Sequence, residues 1–408
     1  MSREKKLVPK MRFKEFEDSQ PWQNKDLGDM VNFYSGLTYS PSNIVEEPGT
    51  LVIRSSNVKN SEIVNADNVY VDSTIANSEN VQIGDIIVVV RNGSRHLIGK
   101  NAQVKTPMEN TVIGAFMTGI RSNTSKFINA LLDTNKFQIE IYKDLGATIN
   151  QITTGNLRKM KFNFPNEDEA NKIGTYFEEI DNLIISHRKK INKVKDIKSA
   201  YLSEMFPKEG EKYPKKRFEG FTEPWIEYSL EKIGDIVGGN SWKSNEYDKE
   251  GSHLIITIAN VSGDYSVDIN EGNKITPNNN RYVLSEGDIL ISMTGNVGRV
   301  SRMPEVKAVL NQRVGKLVIN SGIDKEFIFT ILQNKKFERS MILQGQGAAQ
   351  LNISRTDILD YRFKIPEYNE QKKIGQLFKN INDQISVEEE KLMKLEKLKQ
   401  AYLNDMFV

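Results

Sequence analysis

Ala200-Tyr-Leu-Ser-Glu-Met-Phe206 returns at the end of the 408-residue chain as Ala401-Tyr-Leu-Asn-Asp-Met-Phe407, at an offset of 201 residues. The same offset joins Pro165 to Pro366. A repeat this long indicates one structural unit that is written twice. Duplication within a single chain predicts approximate two-fold symmetry between the two units.

The repeat continues upstream, where the match is looser. Gly84-Asp-Ile-Ile87 corresponds to Gly287-Asp-Ile-Leu290, and Trp22 corresponds to Trp225. The two copies agree best towards their ends and differ most before them. This pattern predicts a shared scaffold that carries two divergent binding surfaces.

Each repeat ends in a long stretch with heptad-like spacing. Apolar residues recur at steps of three and four from Ile173 to Met205, and again from Ile374 to Met406. Such a stripe is typical of a helix that buries one face against a partner helix. A helix of about 38 residues would measure roughly 57 Å at 1.5 Å per residue. We expect the two helices to pair antiparallel.

The sequence before each long helix favours short strands separated by Asn, Gly, Ser and Pro turns, with short helical stretches near 126–144 and 324–343. The strand Asp85–Val90 should be buried on both faces, because its interior is apolar throughout. We therefore predict an α+β fold in which two mixed, strand-rich domains are separated by two long antiparallel coiled-coil helices. The predicted boundaries are 1–165 and 208–366 for the domains, and 166–207 and 367–408 for the helices.

Composition excludes several classes of protein. Lys and Arg number 56 against 54 Asp and Glu, a net charge of +2, so nucleic-acid binding would need a local basic face. There is no cysteine, and the three histidines lack HxxxH spacing, so we expect neither thiolate chemistry nor a zinc site. No apolar run has the length of a membrane span, and the charged N-terminus is unlike a signal peptide. We expect a cytoplasmic protein that does not contact a membrane.

The sequence also lacks a recognisable catalytic constellation. Gly93 to Lys100 has one residue too many between its glycines for a phosphate-binding loop, and Asn101 stands where Ser or Thr is required. Glu389-Glu-Lys391 resembles the end of a nuclease signature but lies on the predicted helix. No Asn-Pro-Pro-Tyr-like segment of a base methylase is present. We expect no catalytic residue and no metal ligand on this chain.

The order and duplication of these motifs resemble the specificity subunits of type I restriction–modification systems. The resemblance covers nearly the whole chain. It is carried by the Gly-Asp-Ile-Ile/Leu strand, by the Pro-x-x-x-Glu-x-x-x-Ile-Gly start of each long helix, and by the Ala-Tyr-Leu-x-x-Met-Phe end. It implies a non-catalytic subunit with two target-recognition domains, each of which reads one half of a split sequence in double-stranded DNA. Because the two domains differ in sequence, the target should be asymmetric.

The resemblance also implies partners. Two methyltransferase subunits would dock on the long helices, and restriction/translocase subunits, which are translocating nucleases, would join the complex. That complex would perform adenine-N6 methylation and ATP-dependent DNA cleavage. S-adenosylmethionine, ATP and Mg are then expected on the partner subunits, with no cofactor bound by this chain.

Polar loops are the candidates for DNA contact, because base edges are read by Asn, Gln, Arg, Ser and Thr side chains. Such loops are commonly solvated turns, but here they follow the repeated strands at three matching places in each repeat, which favours DNA contact. The candidates in the first repeat are Arg54, Ser56, Asn57, Arg91, Asn92, Ser94, Arg95, Gln151 and Thr153. Those in the second are Trp242, Lys243, Thr257, Asn260, Thr294, Asn296, Arg299, Gln346, Gln350 and Asn352.

The chief alternative is a coiled-coil interaction scaffold with two domains that bind carbohydrate or protein and not DNA. It accounts for the helices, but it does not explain why polar loops recur at equivalent places. Salt distinguishes the two readings, since DNA binding weakens as ionic strength rises and phosphate contacts release counterions.

Overall fold

A computed structural model of the chain describes residues 7–145, 150–345 and 351–408. The chain divides into two compact units. The first contains the residues up to Arg188 together with Glu390–Val408, and the second is Lys189–Glu389. Each unit thus combines one strand-rich region with part of both long helices. The domain boundaries drawn from the sequence, which set the helices apart as spacers, stay a prediction.

The first unit contains two four-stranded sheets, with orders β10-β4-β7-β3 and β2-β11-β8-β9, and two pairs, β1-β12 and β5-β6. Its strands are β1 (Gln23–Asp26), β2 (Asn32–Ser35), β3 (Ile44–Val45), β4 (Thr50–Ile53), β5 (Val58–Lys59), β6 (Glu62–Ile63), β7 (Val69–Val71), β8 (Ile86–Val89), β9 (Asn101–Gln103), β10 (Thr111–Ile113), β11 (Met117–Arg121) and β12 (Lys161–Phe164). Its helices are α1 (Leu27–Met30), α2 (Ser125–Leu132), α3 (Asn135–Asp144), α4 (Thr154–Lys159) and the first part of α5 (Glu167–Glu204).

The second unit repeats this plan, with sheets β14-β21-β18-β19 and β16-β15-β20-β17 and the pair β13-β22. Its strands are β13 (Ile226–Ser229), β14 (Gly234–Gly238), β15 (His253–Ile256), β16 (Lys274–Ile275), β17 (Val283–Leu284), β18 (Ile289–Ser292), β19 (Val300–Arg302), β20 (Ala308–Leu310), β21 (Val314–Ile319) and β22 (Arg362–Ile365). Its helices are α6 (Lys325–Leu332), α7 (Lys335–Gln344), α8 (Arg355–Leu359) and the first part of α9 (Tyr368–Met406). The predicted α+β class, with two strand-rich regions and two long helices, is confirmed.

Strand β8 separates two apolar cores in the first unit. All four of its residues are buried. Ile86 and Val88 pack among the helices, whereas Ile87 and Val89 pack against the second sheet. Side chains on a strand alternate between its faces, so a strand that is buried on both sides needs an uninterrupted apolar run. The sequence-based expectation for this strand is therefore confirmed.

A buried ion pair fixes the start of each long helix. The Arg12 guanidinium donates to Glu169 in the first turn of α5 at 2.7 and 2.6 Å, and Trp22 Nε1 donates to the same carboxylate at 3.2 Å. Arg217 pairs with Glu370 on α9 in the same bidentate way, at 2.7 Å for both bonds. A buried carboxylate needs such partners to offset its desolvation. The Glu of the helix-start motif is therefore structural.

The matching ends of the two repeats, 200–206 and 401–407, each pack into the core of a unit that is built mainly from the other repeat. Phe407, which ends the second repeat, stacks on Phe127 in the first unit, with ring centroids 5.2 Å apart. Phe206, which ends the first repeat, stacks on Phe327 in the second unit at 5.8 Å. Aromatic rings of this size contribute a large share of a core's buried apolar area. Each unit therefore needs sequence from both repeats.

The helix segments run antiparallel within each unit, as predicted. In the first unit Asp181 and Arg188 on α5 pair with Lys399 and Glu396 on α9, each at 2.6 Å, so residue numbers rise on one helix as they fall on the other. In the second unit Val194 on α5 packs with Ile381 and Ile385 on α9. In both units residues of the heptad stripes also pack together in an apolar cluster, because the stripes place apolar residues on the facing sides.

Equivalent lysines near the helix ends have different partners. Lys399 in the first unit lies between the carboxylates of Asp133 and Asp181. Burial opposes its charge, but attraction to the two carboxylates outweighs burial and raises the pKa of Lys399. Lys198 in the second unit donates instead to the amide oxygen of Gln333 at 3.1 Å. Burial without a carboxylate partner at that place lowers the pKa of Lys198 to about 8.

Replacing each lysine by methionine should change stability in opposite directions. Lys399→Met leaves two buried carboxylates without their cation, and we expect the free energy of unfolding to fall by about 3 kcal/mol at pH 7. Lys198→Met removes a poorly solvated charge, so it should raise that free energy at pH 7. Because the pKa of Lys198 is lowered in the folded state, the gain should be full below pH 8 and fade as the pH approaches 10.5.

Urea unfolding at pH 7 and pH 10 measures both effects. Loss of stability in both variants at pH 7 would contradict the assigned roles.

Candidate nucleic-acid interface

A three-residue turn between β10 and β11 lies where the polar loops of the first unit meet. We call Gly114–Phe116 the central turn of this unit. Leu37, in the loop after β2, donates its N–H to the Ile113 carbonyl at 2.7 Å, and Ala115 returns a bond to the Leu37 carbonyl at 2.9 Å. The Gly114 N–H donates to the Ile53 carbonyl at the end of β4, at 2.8 Å. The loop after β8 joins too, because the Arg91 N–H donates to the Phe116 carbonyl at 3.2 Å.

The remaining loops are bonded to one another. Asn92 Nδ2 donates to Ser55 Oγ at 2.9 Å, which ties the loop after β8 to the loop after β4. Arg91 and Gln151 form an isolated antiparallel bridge, and Asn150 Nδ2 donates to the Gly93 carbonyl at 2.9 Å. The three polar loops selected from the sequence of the first repeat therefore form one continuous surface.

The second unit has the same backbone bonds around its own central turn, Asn311–Arg313. The Asn240 N–H donates to the Leu310 carbonyl and the Gln312 N–H donates to the Asn240 carbonyl, both at 3.0 Å, as Leu37 and Ala115 do in the first unit. The Asn311 N–H donates to the Ile256 carbonyl at 3.1 Å. The Met293 N–H donates to the Arg313 carbonyl at 3.0 Å, which corresponds to the 3.0 Å bond from the Val90 N–H to the Phe116 carbonyl. Phe116 and Arg313 are thus structurally equivalent.

Two of the second unit's loops meet at a further bond. Thr294 and Asn352 form an isolated bridge, and Thr294 Oγ1 donates to Asn352 Oδ1 at 2.9 Å. This bridge corresponds to the one between Arg91 and Gln151. Two of the three predicted loop groups of the second repeat are therefore in direct contact.

A glycine in the loop that contacts each central turn makes the close approach possible; Gly36 follows β2 and Gly239 follows β14. A Cβ atom on Gly36 would lie 2.0 Å from the Gly114 carbonyl oxygen, and one on Gly239 would lie 2.4 Å from the Asn311 carbonyl oxygen. Real Cβ atoms do not come so close to backbone atoms, so both positions require glycine. The approach is therefore built into the backbone of both units.

Most candidate side chains of the first unit are accessible. The exposed ones are Ser56, Arg91, Ser94, Arg95 and Thr153, and the half-buried ones are Arg54, Asn92 and Gln151. Some are held in place by local contacts. The Arg91 guanidinium lies 4.9 Å from the centroid of the Phe116 ring, Arg95 donates to the Leu145 carbonyl at 3.0 Å, and Arg54 donates to the Asp67 carbonyl. Thr153 caps α4 by accepting from the Asn156 N–H.

The second unit's candidates are placed similarly. The exposed ones are Lys243, Asn296 and Asn352, and the half-buried ones are Trp242, Thr257, Thr294 and Arg299. Trp242 Nε1 donates to the Leu310 carbonyl at 3.1 Å, and its ring packs edge-on against Tyr282. Arg299 Nε lies 3.8 Å from a Glu338 carboxylate oxygen. Gln346 and Gln350 lie outside the described residues.

Two candidates, Asn57 and Asn260, are buried at equivalent places. The Asn57 amide donates to the Val64 and Ala66 carbonyls at 3.2 and 2.7 Å and accepts from the Arg54 N–H at 2.9 Å. Asn260 makes the same kind of contacts, donating to two carbonyls at 2.8 and 2.9 Å. These amides hold their own loops in shape, so we leave both residues out of the proposed interface.

The central turns themselves were missed from the sequence. Phe116 is 53% exposed, and Ala115, Gln312 and Arg313 are exposed too. A difference between the repeats could have indicated them. When the repeats are aligned, Gly-Ala-Phe in the first corresponds to Asn-Gln-Arg in the second, between apolar strands that are otherwise similar. A phenylalanine between two apolar strands is expected to be buried in the core, so the sequence does not indicate Phe116 as a binding residue.

The polar loops of both units carry cations. Arg54, Arg91 and Arg95 belong to the loops of the first unit, and Lys243, Arg299 and Arg313 belong to those of the second. Local clusters of this kind can bind phosphate even when the net charge of the chain is small. Across residues 7–145, 150–345 and 351–408, no group of three or more His, Cys, Asp or Glu side chains is arranged to hold a metal ion. The helices of the described residues include none with the length and apolarity needed to cross a membrane.

Comparison with known proteins gives one consistent family. Residues 19–196 and 222–397 each match the protein family described as "Type I restriction modification DNA specificity domain". The chain is 26% identical to the putative type I restriction enzyme MjaX specificity subunit of Methanocaldococcus jannaschii, over 95% of this chain and 93% of that protein. It is 25% identical to the type I restriction enzyme MjaVIII specificity subunit of the same organism, over 64% of each.

A solved structure shares the fold. The S subunit of a type I restriction–modification system from M. genitalium superposes with a TM-score of 0.71 at 15% sequence identity, over 98% of this chain and 99% of that one.

Neighbouring residues in one loop should respond differently to truncation. Asn57→Ala deprives buried carbonyls and an N–H of their partners, and we expect the free energy of unfolding to fall by about 2 kcal/mol. Ser56→Ala, at an exposed position, should change it by less than about 0.5 kcal/mol. Urea unfolding of the two variants and the unmodified chain tests this. Equal stabilities would mean that Asn57 does not hold the loop.

Proposed function

The chain belongs to the type I restriction–modification DNA specificity family, and we propose that it reads a bipartite, asymmetric target in double-stranded DNA. Each unit reads one half-site through its polar loops and central turn. The chain itself contributes sequence choice and no catalytic step. The family membership that the sequence motifs predicted is confirmed by the two matched segments.

One observation carries this proposal. The loops of the two units have the same backbone frame but different side chains. Arg91 faces Gln151 in one bridge, whereas Thr294 faces Asn352 in the equivalent bridge. Sequence is read by side chains that reach base edges, and the backbone frame only presents them. Two equal frames with unequal side chains support two half-sites of different sequence.

The exposed side chains suit both tasks of a DNA interface. Guanidinium and ammonium groups such as Arg95 and Lys243 can contact phosphates, which sets affinity and register. Carboxamides such as those of Asn92 and Gln151 can donate and accept at an adenine edge, and Arg91 can make paired bonds to guanine. These roles would divide between affinity and specificity within each unit.

The long helices are the proposed docking surface for partner subunits. Ile197 on α5 and Leu398 on α9 occupy equivalent repeat positions, and both are exposed. Equivalent apolar positions in both units support two copies of the same partner, in keeping with two methyltransferase subunits. Restriction/translocase subunits would complete the complex.

The chemistry is assigned to those partners. The complex would perform adenine-N6 methylation and ATP-dependent DNA cleavage in the cytoplasm, with S-adenosylmethionine, ATP and Mg bound by the other subunits.

Selection from a random pool of DNA duplexes tests the function directly. We expect the chain, assembled with its methyltransferase partner, to enrich two short fixed segments separated by unspecified bases. Affinity for the enriched duplex should fall steeply as salt rises, because phosphate contacts release counterions. Arg95→Ala should weaken binding to all duplexes and lower the salt slope by about 1, if Arg95 contacts phosphate.

Lys161→Ala is the matched control. It removes one exposed cation on β12, outside the polar loops, and should leave affinity and salt slope unchanged. Absence of any enriched sequence would remove the proposal and favour the interaction scaffold.

A further inference from the structure

We propose that the central turn determines which base each unit prefers at one position, by an apolar contact in the first unit and by hydrogen bonds in the second. Phe116 would contact a thymine methyl group, and Arg313 would bond to a guanine edge. This inference rests on the proposed function and adds the chemistry by which the two half-sites differ.

The position of the turn is the first argument. In each unit, backbone bonds join the turn to two loops and to the end of a neighbouring strand. The residues that make these bonds are Leu37, Val90 and Ile53 in the first unit, and Asn240, Met293 and Ile256 in the second. A side chain at the third residue of the turn therefore stands among the polar loops, at a place fixed by their backbones. Residues that read bases need this kind of rigid support.

The exposure of Phe116 is the second argument. About half of its surface is accessible, although phenyl rings are usually buried. Arg91 covers one face of the ring at 4.9 Å, which orients the ring and leaves other parts of it open. Among the groups in the major groove, the thymine methyl is the one that an apolar side chain recognises. Arg91 lies over the ring and Arg54 lies beside Gly114, and these two cations favour a polyanionic partner over an apolar protein surface.

The equivalent residue in the second unit has the opposite chemistry. The Arg313 side chain is exposed. The backbone N–H of Arg313 donates to Asn311 Oδ1 at 3.1 Å, which stiffens the turn. A guanidinium at such a position can make two parallel bonds to guanine O6 and N7. Gln312, one residue earlier, is exposed as well and could add a contact to the next base.

Exchange of the two residues tests the inference in the full chain with its methyltransferase partner. Methylation motifs would be read from cellular DNA by single-molecule sequencing. We expect Phe116→Arg to change or relax one letter of one half-site, while the other half-site keeps all its letters. Arg313→Lys retains the charge but loses the paired geometry. It should relax discrimination at one letter of the other half-site on the order of ten- to a hundredfold.

Controls separate this outcome from general effects. Ile44→Arg adds the same charge at an exposed apolar residue on the edge strand β3 and should leave every letter unchanged. Phe116→Leu keeps an apolar side chain and should retain the preferred letter, which guards against misfolding of the arginine variant.

Three outcomes would overturn the inference. They are an unchanged motif in Phe116→Arg and Arg313→Lys, a loss spread evenly over both half-sites, and a letter change caused by Ile44→Arg. In each case a split motif that depends on the unmodified chain would leave the proposed function standing. Absence of such a motif with the unmodified chain would instead remove the proposed function itself.

Discussion

Neither repeat can complete a core from its own sequence, and the rest of the structure follows from this constraint. Phe407 belongs to the second repeat but stacks in the core of the first unit, and Phe206 does the reverse in the second unit. Burial of a large aromatic ring contributes several kcal/mol, so the end of each long helix is a required part of the unit that it enters. Within each unit the heptad stripes pack the two long helices together, and a buried Arg–Glu pair holds the start of one of them.

A fixed frame leaves the loops free to diverge. The backbone bonds around the central turn are the same in both units, and Gly36 and Gly239 permit the close approach on which they depend. Side chains on this frame can change without altering the fold, since most of them are accessible and few support the core. The likeness of the repeats at their ends and their divergence before them thus have a common physical explanation. Stability constrains the helices, and the loops carry whatever distinguishes one binding surface from the other.

Much of this architecture was predictable from the sequence. Periodicity indicated both long helices, of which α5 extends from Glu167 to Glu204. The apolar run of β8 predicted burial on both faces, and repeated polar segments predicted loops that are now seen in contact. Periodicity identifies the buried face of a helix but not the residues that it packs against. The stacking of Phe206 on Phe327 and of Phe407 on Phe127 was therefore not predicted. Asn57 was predicted to contact DNA. Its burial could not be predicted, because it depends on how the following residues fold back to place the Val64 and Ala66 carbonyls beside the amide. The exposure of Phe116 could not be predicted, because a phenylalanine flanked by apolar strands is normally expected in the core.

The central claim is that each unit reads its own half of a split DNA sequence, and exchange of one recognition region tests it most directly. Residues 1–165 would be replaced by the corresponding region of a relative, and adenine methylation would be mapped in cells that also carry the methyltransferase partner. The account predicts that one half of the methylated motif changes while the other half and its letters stay the same. A motif in which both halves change together, or in which neither half depends on this chain, would contradict it.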